Sequence, residues 1–188
     1  MLKPPLIKVL EREFRLDWQG MHGAPHWARV RWNGLTLARD TGARADVVEC
    51  FALLHDSQRI NDRRDSHHGH RAGDYAQSIN AEYLHLDATG LEMLIYACEY
   101  HSEGLMEADV TVQTCWDADR LDLARVGITP DPRRLCTAPA RRPAQLRASI
   151  AMSLGHGSRA GHVDFEAGSP SGDLPGWSTP DVAGSAHE

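Results

Sequence analysis

Several features that would assign the chain to a common functional class are missing from its sequence. No run approaches the roughly 20 apolar residues of a membrane-spanning helix, so we expect no membrane association. Lys and Arg are not clustered and the formal net charge is −6, which argues against a nucleic-acid polymer as partner. The apolar start is interrupted at Glu11, too early for a signal peptide.

The cysteines also exclude two kinds of site. Cys50, Cys98, Cys115 and Cys136 are scattered and form no C-x-x-C pair, so neither a zinc ribbon nor a thioredoxin-type motif is present. Cys50 and Cys98 lie inside apolar helical patterns, where a reduced cysteine behaves as a small hydrophobe. We therefore expect a reducing compartment, and hence a cytoplasmic protein.

The pattern of apolar residues predicts an all-α helical bundle. Alternation of the kind that marks β-strands is missing, whereas helical periodicity recurs between Gly and Pro stops. Thr89 is the predicted cap of one helix, and a short turn or helix is expected near Asp109. The predicted helices cover about residues 6–16, 25–40, 45–57, 67–83, 89–101 and 116–126.

Composition divides the chain into two parts. Residues 1–136 are predicted to form one helical domain, because 188 residues favour a single domain with room for a tail. Residues 137–188 are rich in Pro, Gly and Ser and contain few large aliphatic side chains, which is typical of a disordered tail. A weak helix at 144–154 is the one structured element considered there.

Histidine is the most conspicuous residue type, with 11 in the chain. Helical spacing places a His or Asp on the inner face of five predicted helices: His26, His55 with Asp56 beside it, His68, His101 and Asp119. One such residue is more often a satisfied core histidine or a capping carboxylate. Such residues on five helices together are costly to bury unless they pair or bind a metal, and His with Asp suits a divalent transition metal.

These residues resemble the pattern of the HD superfamily of metal-dependent phosphohydrolases, in which a His, an HD pair and a distal Asp lie on a helical bundle. The resemblance covers residues 20–126 and rests on the segments 22–27, 51–57 and 116–121. It implies that His26, His55, Asp56 and Asp119 bind one metal ion. Asp119 is chosen over Asp117 and Asp122 because Trp116 and Leu123 flank it on its face.

The resemblance also implies a second ion in many members of the superfamily. His68 and His101 are its positional candidates, with His67 as the rival of His68. The expected cofactor is therefore one or two divalent transition-metal ions, with Mn, Fe, Co, Ni and Zn left open.

The activity implied by the resemblance is hydrolysis of phosphate esters, with a nucleotide or another small phosphorylated metabolite as substrate. Arg59 and Arg120 are the predicted cations for the developing negative charge, and Arg71 is a third. Asp62 or Asp65 is a candidate proton acceptor or a partner of a ligating His.

Two other functions fit the same ligand types. One is an HD-type di-iron oxygenase, and the other is a catalytically silent regulatory module that keeps a metal for structure. Metal identity and turnover distinguish the three functions. The oligomeric state and the substrate are left open.

Overall fold

Seven α-helices, and no β-strand, form the part of the chain that the computed structural model describes, residues 4–155. The all-α prediction is therefore confirmed for these residues. None of the helices described there is both long and apolar enough to cross a bilayer. The helices are α1 (Pro4–Glu13), α2 (Ala24–Thr41), α3 (Ala45–Leu54), α4 (His68–Ile79), α5 (Ala88–Tyr100), α6 (Val110–Arg120) and α7 (Pro143–Ser153).

Helix α2 is central, because it packs against both α3 and α6. Its Gly34 allows this: a Cβ there would lie 2.5 Å from Val48 Cγ1 on α3 and 3.3 Å from Ala118 Cβ on α6. A helical glycine costs about 1 kcal/mol of propensity relative to alanine. Here that cost is offset by packing, since no larger residue fits between the two neighbours. Gly42, at φ 75°, ends α2 where the sequence predicts the stop.

A second close approach joins α4 to α5. A Cβ on Gly69 would collide with the backbone carbonyl of Cys98, and one on Gly73 would lie 3.2 Å from Ile95 Cγ2. The two glycines are one helical turn apart, so they form one contact strip. This strip holds the start of α4 against the end of α5.

The sixth helix is shifted relative to the prediction. It begins at Val110 because Asp109 caps it, accepting a bond from Thr111 N at 2.8 Å. It ends at Arg120, and the predicted continuation is a separate 3₁₀ turn, Leu123–Val126. Helix α5 is likewise capped by Asp87, which accepts from Gly90 N at 2.7 Å, and not by Thr89.

The ordered structure continues past residue 136, so the predicted tail boundary is wrong for residues 137–155. Buried Asp117 accepts bonds from Cys136 N at 2.6 Å and from Thr137 N and Oγ1, both at 2.8 Å. Helix α7 follows and matches the weak helix considered at 144–154. Its Leu146 joins a second apolar cluster with Leu37, Leu121, Leu135 and Ala140. The rest of the tail prediction, 156–188, lies outside the described residues.

Candidate metal centre

The predicted metal ligands lie at the ends of five helices. His26 is the third residue of α2 and His68 the first of α4. His55 directly follows α3, His101 directly follows α5, and Asp119 is the last residue but one of α6. Helix α3 ends at Leu54 and is shorter than predicted, so Asp56 lies in the turn after it. The candidate site is therefore built where helix ends converge.

Four of these residues form what we call the first cluster: His26, His55, Asp56 and Asp119. Nε2 of His26 lies 3.0 Å from Nε2 of His55. Asp119 Oδ1 lies 3.4 and 3.7 Å from these two nitrogens, and Asp56 Oδ2 lies 3.6 and 3.8 Å from them. Both imidazoles are fully buried, while the Asp119 side chain is 16% exposed.

The second cluster consists of His68, His101 and the same Asp56. The two Nε2 atoms lie 2.9 Å apart. Asp56 Oδ1 lies 3.2 Å from His68 Nε2 and 3.7 Å from His101 Nε2. Asp56 therefore directs one oxygen to each cluster. The spacing and burial of His26, His55, Asp56, His68 and His101 are those of residues that could hold a metal ion.

The outward Nδ1 atoms of three imidazoles are bound to backbone carbonyls. These bonds join His55 to Phe51 O at 3.1 Å, His101 to Cys98 O at 2.7 Å and His68 to Asp65 O. A carbonyl oxygen can only accept, so each Nδ1 carries the proton and donates it. In the neutral ring, Nε2 then carries no proton, and its lone pair points into the cluster.

His26 has the same tautomer, with the proton on Nδ1, but its acceptor is a carboxylate. Its Nδ1 donates to Asp122 Oδ2 at 2.7 Å. Asp122 is fully buried and also accepts from Arg29 Nε at 2.7 Å and from Ser153 Oγ at 2.5 Å, so α7 contributes to this network. Such partners fix the ring orientation of ligating histidines in metal sites.

Two bare nitrogens about 3 Å apart repel each other unless a cation lies beside both. Burial lowers the pKa of His26, and it lowers that of His55 to about 3, so both rings are neutral near pH 7. Burial also opposes the charged form of His101, but the nearby Asp56 carboxylate outweighs this and raises the pKa. Ligands bound at about 2.1 Å and separated by 90–110° lie roughly 3.0–3.5 Å apart. The two Nε2–Nε2 separations, 3.0 and 2.9 Å, lie at the short end of that range, and the nitrogen–carboxylate separations run from 3.2 to 3.8 Å. The donor types suit a divalent transition metal.

Asp56 is ionised and surrounded by donors. Burial would raise its pKa, but the donors around the carboxylate outweigh this and hold the pKa well below the ordinary value. His22 Nδ1 lies 2.9 Å from Asp56 Oδ2, and Arg59 Nε donates to Oδ1 at 2.8 Å. The expectation that Arg59 faces the site is therefore met, and its charge lies beside the second cluster.

The other predicted catalytic residues lie elsewhere. Arg120 donates to Leu105 O at 2.6 Å and to Arg134 O at 3.1 Å, and its guanidinium lies over the Trp116 ring, so it contacts neither cluster. Neighbouring helical positions point about 100° apart, and Arg120 therefore diverges from Asp119. Asp62 is solvent-exposed in the loop after α3, where no contact connects it to a ligand.

The structure also shows where the alternative proton acceptor, Asp65, and the alternative ligand, His67, lie. Asp65 accepts from Ile60 N at 3.0 Å and from Arg71 Nη2 at 2.6 Å, so these two charges neutralise each other. His67 is exposed and precedes α4, whereas His68 is buried at the cluster. Between these two histidines, the structure brings His68 to the site.

Two residues at the site were not predicted to act there. His22, which contacts Asp56, lies four residues before His26, but the segment that contains it is not helical. Asp122 was rejected as a ligand, and it is instead the acceptor for the back of the His26 ring. Its position three residues after Asp119 was the available signal, because that spacing returns to one helix face.

Comparison with known proteins identifies no relative: no protein family, no curated protein and no solved structure matches the chain. The resemblance to the HD superfamily therefore stays a prediction, and the functional argument rests on the geometry of the two clusters.

Proposed function

We propose that this chain is an HD-type metal-dependent phosphohydrolase that holds two divalent transition-metal ions and hydrolyses small phosphate esters. His26, His55 and Asp119 would hold one ion, and His68 and His101 the other, with Asp56 shared between them. One observation carries the proposal: two pairs of inward Nε2 atoms, 3.0 and 2.9 Å apart, face the two oxygens of one carboxylate.

Paired divalent ions acidify water and withdraw charge from phosphoryl oxygens, which is the chemistry that phosphate-ester hydrolysis needs. The chain supplies the remaining functions. Arg59 holds a permanent positive charge beside Asp56 and counters the charge that develops on phosphate. His22, bound to Asp56 and 8% exposed, lies at the edge of the first cluster.

Metal analysis of the purified chain tests the first half of the proposal. We expect close to two ions per chain, and about one in His26→Ala and in His68→Ala, because each change removes a ligand from one cluster only. His70→Ala is the matched control: His70 is exposed, lies two residues after His68 and pairs with Glu99 at 3.4 Å. Equal metal content in all three variants would contradict the assignment.

A screen of phosphate esters with added Mn, Co, Ni or Fe tests the second half. We expect turnover that His55→Ala and Asp56→Ala abolish and that His70→Ala leaves unchanged. Bound iron with oxygen consumption, and without ester hydrolysis, would instead indicate the oxygenase. Bound metal without any turnover would indicate the regulatory module.

A further inference from the structure

A cavity of about 350 Å³ lies beside the second cluster. Its walls include His68, a predicted ligand, and Arg59, which contacts Asp56. The volume falls at the small end of the range for ligand sites. A molecule in this cavity would therefore lie next to the second cluster.

The cavity also contains two arginines that the sequence did not indicate, Arg63 and Arg64. The loop that bears them is fixed to the site. Arg59 Nη1 donates to Arg63 O at 3.2 Å, and Asn61 Oδ1 accepts from Arg63 N at 2.8 Å. At the end of the loop, the Asp65 carbonyl accepts from His68. The backbone that bears Arg63 and Arg64 is thus held beside the ligands, and both side chains are exposed.

The charge balance of the cavity favours an anion. Its lining has three arginines against Asp65 and Glu103, and two hydroxyls from Ser66 and Ser102. Asp65 is already paired with Arg71, and Arg59 with Asp56. Among the described residues, no ion pair engages Arg63 or Arg64, so two cations face one opposing carboxylate.

We infer that Arg63 and Arg64 bind a second phosphate group of the substrate, so that the preferred substrates carry two or more phosphates. The inference rests on the proposed function, because the first phosphate is placed at the metal clusters. Arginine suits this role, since its planar guanidinium binds phosphate oxygens with two parallel hydrogen bonds.

Phosphonates test this without turnover, because a phosphoesterase does not cleave their C–P bond. Binding of alkyl monophosphonates and of α,ω-alkylene bisphosphonates of three to six carbons is measured by calorimetry on the metal-loaded full chain, without oxygen. We expect the best bisphosphonate to bind at least about tenfold more tightly than its monophosphonate, as for charge-assisted hydrogen bonds. The double variant Arg63→Ala/Arg64→Ala should lose this advantage and keep monophosphonate binding.

Arg133→Ala is the control, because it removes an exposed arginine that pairs with Asp131, away from the cavity. Monophosphonate binding without a bisphosphonate advantage overturns the inference and leaves the proposed function standing. An advantage that survives in the double variant also overturns it. Binding of neither compound, together with no ester hydrolysis, overturns both.

Discussion

Asp122 offers a direct test of how the first cluster is oriented, because this carboxylate holds a predicted ligand without being one. Its Oδ2 accepts from His26 Nδ1, and its Oδ1 accepts from Arg29 and Ser153. Asp122→Asn keeps the size but has only one accepting oxygen. If that oxygen faces the two donors at Oδ1, the amide NH₂ faces His26. Nδ1 must then accept, and the ring proton moves to Nε2, the atom that faces the cluster.

The expected loss of metal affinity follows from that tautomer change. Removing the outer partner of a metal-ligating histidine costs about 10–100-fold in metal affinity. This corresponds to about 1.4–2.8 kcal/mol, at roughly 1.4 kcal/mol for each factor of ten. The loss should fall on the first cluster alone, because the Nδ1 atoms of His68 and His101 are held by backbone carbonyls that the substitution does not touch.

The assay is competition for zinc or cobalt against a chelator of known affinity. Asp117→Asn is the matched control. Asp117 lies on α6 and is fully buried, as Asp122 is, but it accepts from Cys136 and Thr137 and not from a predicted metal ligand. We expect Asp117→Asn to lower the free energy of unfolding and to leave metal affinity unchanged. If Asp122→Asn binds the first ion as tightly as the unsubstituted chain, the orienting role of Asp122 is wrong.

Three further predictions concern the fold around the site. Gly69→Ala should lower metal affinity at the second cluster, because its Cβ would push α4 away from the α5 backbone. Gly73→Ala should do so much less, because its closest contacts would be the Ile95 and Glu99 side chains at 3.2 and 3.4 Å. Equal affinities in a metal titration would contradict this. Leu146→Ala should lower the free energy of unfolding by about 2 kcal/mol, because it opens the second apolar cluster, and a denaturant titration showing a change below about 0.5 kcal/mol would refute the packing of α7. Burial would raise the pKa of Asp122, but its bonds from His26 and Arg29 lower it to about 2, below the ordinary 3.8. Its stabilising effect is therefore complete above about pH 4 and disappears as the pH falls through 2, so the stability difference between the unsubstituted chain and Asp122→Asn in EDTA should shrink by about 2 kcal/mol between roughly pH 5 and pH 2.

The sequence was sufficient for the helical class and for the inward faces of the helices, because helical periodicity is a local signal. His26, His68 and Asp119 were recognised as ionisable residues on apolar faces, and the structure brings them within reach of the HD pair. Their role as ligands is still a prediction. The position of Arg120 was wrong because adjacency in sequence does not mean adjacency on a helix.

Contacts between distant segments could not be predicted in this way. Residues 137–155 have little apolar periodicity, and they are ordered because Asp117 binds Thr137 and because Leu146 fills a cluster contributed by α2 and the end of α6. The bond from Ser153 to Asp122 spans 31 residues and leaves no spacing signal. Likewise, Arg63 and Arg64 look like ordinary loop arginines until the cavity beside His68 is known.

The sharing of Asp56 has a consequence for the order of binding. Two divalent ions would bring four positive charges to a centre whose own anions are Asp56 and Asp119, with Arg59 adding a fifth positive charge. The first ion would therefore oppose the second, and a phosphate dianion would relieve that repulsion. Because coupling between two binding events is reciprocal, anion and second ion should each raise the affinity of the other. A zinc titration with and without orthophosphate measures this cooperativity, and identical second-ion affinities would show that the two events are independent.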